Sequence, residues 1–262
     1  MKLDLYQIDA FTDHIFGGNP ACVVPLSSWP ADDLLMKIAR ENAVAETAFF
    51  IDNGERIHLR WFTPEIEMDL CGHATLATAH VLKAILRYPK DSLVFDTLSG
   101  ELTVFANKDT YTLDLPSRNP TPSELPVIIR ESLNIQPKQV LKSRDYVLVY
   151  ETEQEIRNIT IDRQSFDKIN LDPGGVVVTA PGLDCDFVSR YFTPQSSILE
   201  DPVTGSAHCS LVPYWSGRLN KKELKARQLS ARQGSLYCLD MGGRIHLSGK
   251  AKTYSVGTLW TE

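Results

Sequence analysis

Polar and apolar residues alternate along much of this 262-residue chain, the period of two that sets one face of a strand against a core and the other in solvent. The pattern predicts strands over 3–8, 21–24, 48–51, 57–62, 93–96, 102–105 and 111–115, and again over 146–150, 176–179, 187–192, 236–239, 245–247 and 253–259. Helical period replaces it at 31–42, 73–86, roughly 123–133 and 207–215. The first of these keeps Leu34, Leu35, Ile38 and Ala39 on one face, as a helix lying on a sheet does. The second is apolar nearly all round, from Ala74 through Leu76, Ala77, Ala79, Val81 and Leu82 to Ile85, and such a helix must be buried. In the last, Pro213 would cost about 3 kcal/mol in a regular helix interior, so a kink is expected there. Many short strands and a few helices, one without a polar face, predict an α+β fold of curved, mainly antiparallel sheets, each wrapped around a central helix.

A repeat divides the pattern in two. Arg60-Trp61-Phe62-Thr63-Pro64 recurs about half a chain later as Arg190-Tyr191-Phe192-Thr193-Pro194. Each copy leads through an acidic stretch to a glycine and a run of small residues, Cys71-Gly72-His73-Ala74-Thr75 and Thr204-Gly205-Ser206-Ala207. A glycine and small side chains at the head of a helix leave backbone N–H groups bare enough to hold an anion. If the halves pack about a pseudo-two-fold axis, two helix ends, each worth roughly half a positive charge, face one cleft, and a small anionic metabolite is the expected partner. The expected halves are 1–116 and 123–262, joined by the proline-rich linker 117–122, with a last strand free to cross back to the first half.

Composition narrows the function classes. Apolar content of 43% and charged content of 23% are those of an ordinary globular protein, and no apolar run approaches the roughly 20 residues of a membrane span. The first nine residues alternate without the apolar block of a signal peptide, so a cytoplasmic location is expected. A net charge of −6 argues against nucleic acid. The one basic cluster, Arg218, Lys221, Lys222, Lys225 and Arg227, reads as the solvated face of a helix or turn. Five widely spaced cysteines without a Cys-x-x-Cys pair suggest neither disulfides nor zinc, and the histidines do not fall at ligand spacing with them, so no metal is expected.

Glu46 is a lone carboxylate between a helix and an apolar strand. Held in apolar surroundings, such a group titrates nearer neutrality and suits both taking and returning a proton; the alternative is a strand-edge glutamate reaching water. Asp201, four residues before Gly205, either orients a polar group of a substrate or closes a turn and N-cap. His73 either donates to a bound anion or is a solvent-touching first-turn residue. Gly17-Gly18-Asn19-Pro20 reads as a turn first and a substrate-side loop second. Cys71 precedes a helix start, as a thiol of a two-cysteine racemase does. The second half offers no partner, since Val203 and Thr204 precede Gly205, so Cys71 reads as a packing residue.

As a set, Asp9-Ala10-Phe11, Gly18-Asn19-Pro20, Ile38-Ala39-Arg40-Glu41, Glu46-Thr47-Ala48-Phe49, Phe62-Thr63-Pro64, Cys71-Gly72-His73-Ala74 and Glu200-Asp201-Pro202-Val203-Thr204-Gly205-Ser206-Ala207 resemble the PhzF family of phenazine-biosynthesis isomerases, relatives of diaminopimelate epimerase, nearly end to end. The resemblance implies a diaminopimelate epimerase-like fold of two pseudo-symmetric halves, a homodimer, and a cofactor-independent isomerase or epimerase that moves a proton between carbons of a small carboxylate, such as a dihydro-hydroxyanthranilate-like compound. It implies catalytic roles for Glu46, His73 and Asp201 and substrate binding at Gly72, Ala74, Gly205, Ser206 and Asn19. Cys71 departs from it, standing where the phenazine enzyme has alanine and resembling the Cys-Gly-His of proline racemase-type enzymes. The alternatives are a one-thiol amino-acid racemase using Cys71 and a non-catalytic carboxylate-binding protein.

Overall fold

Every stretch of period two forms a strand in the computed structural model, which describes residues 1–261. The chain divides into two units, Met1–Leu115 with the segment from Leu247 on, and Pro116–His246.

The first unit contains β1 (Lys2–Ala10), β2 (Asn19–Pro25), α1 (Asp32–Asn42), β3 (Glu46–Asp52), β4 (Ile57–Phe62), β5 (Glu67–Met68), α2 (Gly72–His80, continued by a π-helical turn over Val81–Ile85), β6 (Ser92–Thr97), β7 (Gly100–Asn107) and β8 (Thr110–Pro116). β1 pairs antiparallel with β2, β2 parallel with β3, β3 antiparallel with β4 and β4 parallel with β6, and β6, β7 and β8 form a meander. α1 crosses between the parallel β2 and β3 and sets Leu35, Ile38 and Ala39 against Val24, Phe49 and Phe62. α2 is buried from Gly72 to Ala79, as its lack of a polar face requires. Thr75 and Thr78 donate their hydroxyls to the carbonyls of Cys71 and Ala74 at 2.5 and 2.8 Å, so no polar side-chain atom of theirs is stranded inside.

The second unit contains β9 (Thr121–Pro122), α3 (Val127–Ser132), β10 (Gln139–Lys142), β11 (Tyr146–Val149), α4 (Glu153–Asn158), α5 (Arg163–Phe166), β12 (Val176–Pro181), β13 (Phe187–Phe192), β14 (Glu200–Asp201), α6 (Gly205–Leu219), β15 (Glu223–Gln228) and β16 (Gly234–Asp240). Its pairings repeat those of the first: β10 antiparallel with β11, β11 parallel with β12, β12 antiparallel with β13, β13 parallel with β15, β15 antiparallel with β16. β17 (Arg244–Trp260) begins in this unit and ends in the first, antiparallel to β1.

The sequence motif that repeats is a structural joint. Arg60 on β4 makes a bidentate pair with Glu67 on β5, at 2.6 and 2.7 Å. Arg190 on β13 does the same with Glu200 on β14, at 2.7 and 2.9 Å. Each guanidinium also lies over a phenylalanine two residues on, Phe62 at 5.1 Å and Phe192 at 5.0 Å. Thr63 and Thr193 close the following turns through their backbone N–H, to Ile66 and Leu199. The joint therefore fixes where the chain leaves β5 or β14 and enters the next helix.

Three expectations change and one helix is unforeseen. The sequence 223–228 is a strand: Leu224, Ala226 and Gln228 are buried, an alternation hidden by Glu223, Lys225 and Arg227 on the other face, so the basic cluster runs from the last turn of α6 through an exposed turn onto a strand. The segment 117–122 is part of the second unit. Thr121 and Pro122 pair with Lys142 and Leu141, and Arg118 N donates to Cys209 O at 2.8 Å. That carbonyl is the one Pro213 leaves without its helical donor, and with it satisfied α6 runs as one element through the proline. The strands read at 245–247 and 253–259 are one. Finally, α4 begins on a capping box, Thr152 with Glu155, a signal present in the sequence but masked by polar neighbours.

Arg190 also donates to the carbonyls of Ile156 and Ile159 at 3.1 and 2.7 Å, which an ammonium cannot do while keeping a two-pronged carboxylate contact. Arg190→Lys is expected to lower unfolding stability by about 1.5 to 3 kcal/mol, the range for hydrogen bonds to charged groups, measured by urea denaturation.

Candidate active site

The hairpin from β1 to β2 places Asn19. Phe11 and Gly18 both take positive φ, 61° and 62°, and a side chain on Gly18 would bring its Cβ to 2.1 Å from the Ala10 carbonyl oxygen, so only glycine fits there. Asp9 accepts from Phe16 N at 2.8 Å, and the turn delivers Asn19, fully buried, as the first residue of β2. Glu46 is the first residue of β3, in register with Ala21 on β2. Gly72, His73 and Ala74 open α2 behind Cys71, and no side chain caps that helix start.

These elements bring Asn19, Glu46, Cys71 and His73 together. His73 is 3% exposed, which overturns the solvent-touching alternative, and the Glu46 side chain, at the start of its strand, is 15% exposed. His73 Nε2 lies 3.0 Å from Glu46 Oε2, close enough for an ion pair but not aligned for a hydrogen bond, since neither buried atom completes one. On the other ring edge, the Asn19 amide Nδ2 stands 3.1 Å from Nδ1 and Cys71 Sγ 3.6 Å from it. Cys71 and His73 are neighbours in the sequence, and what the fold adds to them is Asn19 and Glu46.

Burial alone lowers the His73 pKa, but the Cys71 sulfur and the Glu46 carboxylate outweigh it and hold it well above the ordinary value. Burial also pushes the Cys71 thiol up to about 11, with Glu46 adding to the rise and His73 opposing it. The thiol is therefore mostly protonated at physiological pH, which leaves Glu46 as the lasting negative charge beside the ring. A doubly protonated ring needs an acceptor at Nδ1, which a half-turn of the Asn19 amide supplies.

In the second unit, Asp201 on β14, Thr204, Gly205 and Ser206 form a second cluster. Thr204 donates its hydroxyl to Asp201 Oδ2 at 2.5 Å. Gln228, buried on β15, clamps both: its Nε2 donates to Asp201 O at 2.7 Å and to Thr204 Oγ1 at 3.1 Å, while its Oε1 accepts from Thr204 N at 2.9 Å. Asp201 thus orders the turn into α6 through Thr204, without capping the helix itself. Arg144 donates to Ser206 Oγ at 3.2 Å, adding positive charge where the helix begins with no side-chain cap. Sequence reasoning missed Gln228 and Arg144. The first sits in a strand whose period was masked, and the second has no motif. His208, one turn into α6, donates Nδ1–H to Thr204 O at 2.8 Å, and burial lowers its pKa to about 4.

The description "phenazine biosynthesis-like protein, PhzC-PhzF" matches residues 8–257 of the chain. An uncharacterized isomerase of Pseudomonas aeruginosa is 47% identical over 260 residues, covering 99% of each chain. Among solved structures, a phenazine biosynthesis protein of the PhzF family from Enterococcus faecalis superposes with a TM-score of 0.94 at 40% identity over the whole of both chains. A hydroxyproline epimerase from Agrobacterium vitis shares the fold, with a TM-score of 0.64 at 11% identity over 98% of this chain and 92% of that one.

Because the folded-state pKa of His208 is depressed, the native state resists a proton that the unfolded chain accepts. Its contribution to stability is complete above about pH 6.5 and is lost as pH falls toward about 4. That loss amounts to about 3 kcal/mol. His208→Asn, which keeps a donor for Thr204, is expected to shrink the acid destabilisation by that amount in urea titrations at pH 7 and pH 4.

Proposed function

The chain belongs to the PhzC-PhzF, phenazine biosynthesis-like family and is an isomerase, and from that premise we propose that Glu46 carries a proton between two carbons of a small carboxylate-bearing metabolite. One observation supports this above the others: the Glu46 carboxylate lies 3.0 Å from the buried His73 imidazole beside the uncapped start of α2. A carboxylate that removes a carbon-bound proton leaves negative charge on the substrate. The amides of Gly72 and His73 are donors suited to that charge, and they are preorganised because the helix that holds them is packed on every side. His73 holds the carboxyl group in place and answers its change of charge. Asn19 holds the ring. The reaction so written needs no cofactor, since the proton leaves and returns on the same side chain, and it is assigned to a homodimer.

A second reading rests on the 3.6 Å contact between Cys71 Sγ and His73 Nδ1, which would let the imidazole draw off a thiol proton for one-thiol racemisation. A thiol titrating near 11 is a poor fit, because the thiolate is the working form.

Two measurements separate these. In D2O, with a dihydro-hydroxyanthranilate and a panel of small amino and hydroxy acids, Glu46→Gln is expected to slow deuterium wash-in by about 10²- to 10⁴-fold, the range for loss of a positioned acid–base group; undiminished exchange removes Glu46 from the mechanism. With iodoacetamide at neutral pH, Cys71 is expected to stay unmodified by mass spectrometry while the denatured chain reacts. Rapid inactivation that substrate prevents would establish the one-thiol reading instead.

A further inference from the structure

We propose that the second unit holds a separate binding pocket for a small, singly charged carboxylate, gripped by the guanidinium of Arg144. The duplication points to the place. Phe62 and Phe192 are the same position of the repeat, and they lie opposite Thr47 and Val176, so Gly175 is the counterpart of Glu46. Cys22 pairs with Thr47 as Tyr146 does with Val176, which makes Asp145 the counterpart of Ala21. Ser206, next after Gly205, is that of His73. The carboxylate has thus changed strands between the halves. A side chain at Gly175 would bring its Cβ to 2.7 Å from both the Phe192 carbonyl oxygen and the Tyr191 hydroxyl, and none fits there. Asp145, fully buried, instead accepts from Gly175 N and from the Tyr191 hydroxyl, both at 3.0 Å. The imidazole–carboxylate pair of the first unit has no copy here.

What stands in its place is a cavity of about 160 Å³ between the β10–β11 hairpin and the loop 170–175, more than ten times the roughly 10 to 15 Å³ that one water needs. The charged residues of its lining are Lys142, Arg144 and Asp172. They leave a surplus of one positive charge, which a monocarboxylate cancels and a phosphate dianion overshoots. Arg144 is suited to the grip. Of the five N–H groups of a guanidinium, Asp145, Ser206 and the Tyr191 hydroxyl engage at most three. The contact with Asp145, monodentate at 3.5 Å, fixes the head without consuming it, so Asp145 is a positioning residue and Arg144 the binding one. Lys142 adds an ammonium held over the Tyr146 ring at 4.6 Å, with no carboxylate partner among the described residues. This pocket is independent of the chemistry given to Glu46.

The test is isothermal titration of the full-length protein at pH 7 with sodium propionate, and with propionamide as its uncharged isostere. Propionate is expected to bind saturably and propionamide not to bind. Arg144→Met should weaken propionate by about 10- to 100-fold, the range for hydrogen bonds to a charged group. Arg144→Lys should recover only part of that loss, because an ammonium lacks the two-pronged grip. Lys142→Glu, at an exposed strand end, leaves the buried network intact and should weaken binding by at least about threefold. It carries the comparison should Arg144→Met fail to fold by circular dichroism. No saturable binding, an affinity that either substitution leaves unchanged, or inorganic phosphate binding more tightly than propionate overturns the pocket. Every readout is a heat of binding, so the outcome stands apart from whether Glu46 moves a proton.

Discussion

A helix with no polar face has to be enclosed, and from that constraint the rest of the first unit follows. α2 is buried from its first residue, so its opening turn, which carries bare amide donors and His73, is held inside the protein rather than at the surface. An exposed helix end trades its unsatisfied N–H groups with water. A buried one keeps them for whatever polar group is brought to it. The parallel β2–β3 pair sets Ala21 beside Glu46, and the tight hairpin at Gly18 sets Asn19 at the start of β2. A carboxylate and an amide thereby flank the imidazole.

The second unit solves the same problem with different side chains. Its Arg190–Glu200 joint matches Arg60–Glu67 in partners, bidentate geometry and the aromatic ring beneath the guanidinium. What precedes the helix differs. Thr204 and Asp201, bound to each other and clamped by Gln228, stand where the first unit has Cys71 and Met68, as the equivalent pairings of Asp201 with Tyr191 and Met68 with Trp61 show. Duplicated architecture has therefore been kept for positioning, while the groups at the two helix starts have diverged. The proline in α6 shows how far the packing accommodates such change, since the carbonyl it orphans is taken up by Arg118 from a segment otherwise without regular structure.

Protonation divides the buried histidines in the same way. His208 and His80 are both lowered to about 4, and burial is the leading cause in each. His208 donates to a backbone carbonyl, while His80 sits between the Tyr111 and Thr253 hydroxyls. Neither has a carboxylate at hand, and neutral imidazole is the stable form. His73 is as deeply buried but faces Glu46, and its pKa moves the other way. One charged neighbour decides whether a buried histidine is a structural hydrogen bonder or a group that can hold a proton beside a substrate.

The sequence by itself determined the alternation of strands, the buried helix 73–86, the duplicated Arg-x-Phe-Thr-Pro joint and the candidate residues around Gly72 and Gly205. These signals are local: a period, a motif, a glycine at a helix start. It misread 223–228, where polar residues hid the alternation, and it treated 117–122 as a tether, because the need that Arg118 meets arises 95 residues later at Pro213. Only the tertiary structure decided that Cys71 and Glu46 share one histidine, that Gln228 clamps Asp201 and Thr204, and that Arg144 stands at Ser206. Apart from that of Cys71 with His73, those contacts join strands and helices distant in the chain, and their strength comes from burial and from the charge of a neighbour, neither of which any stretch of sequence contains.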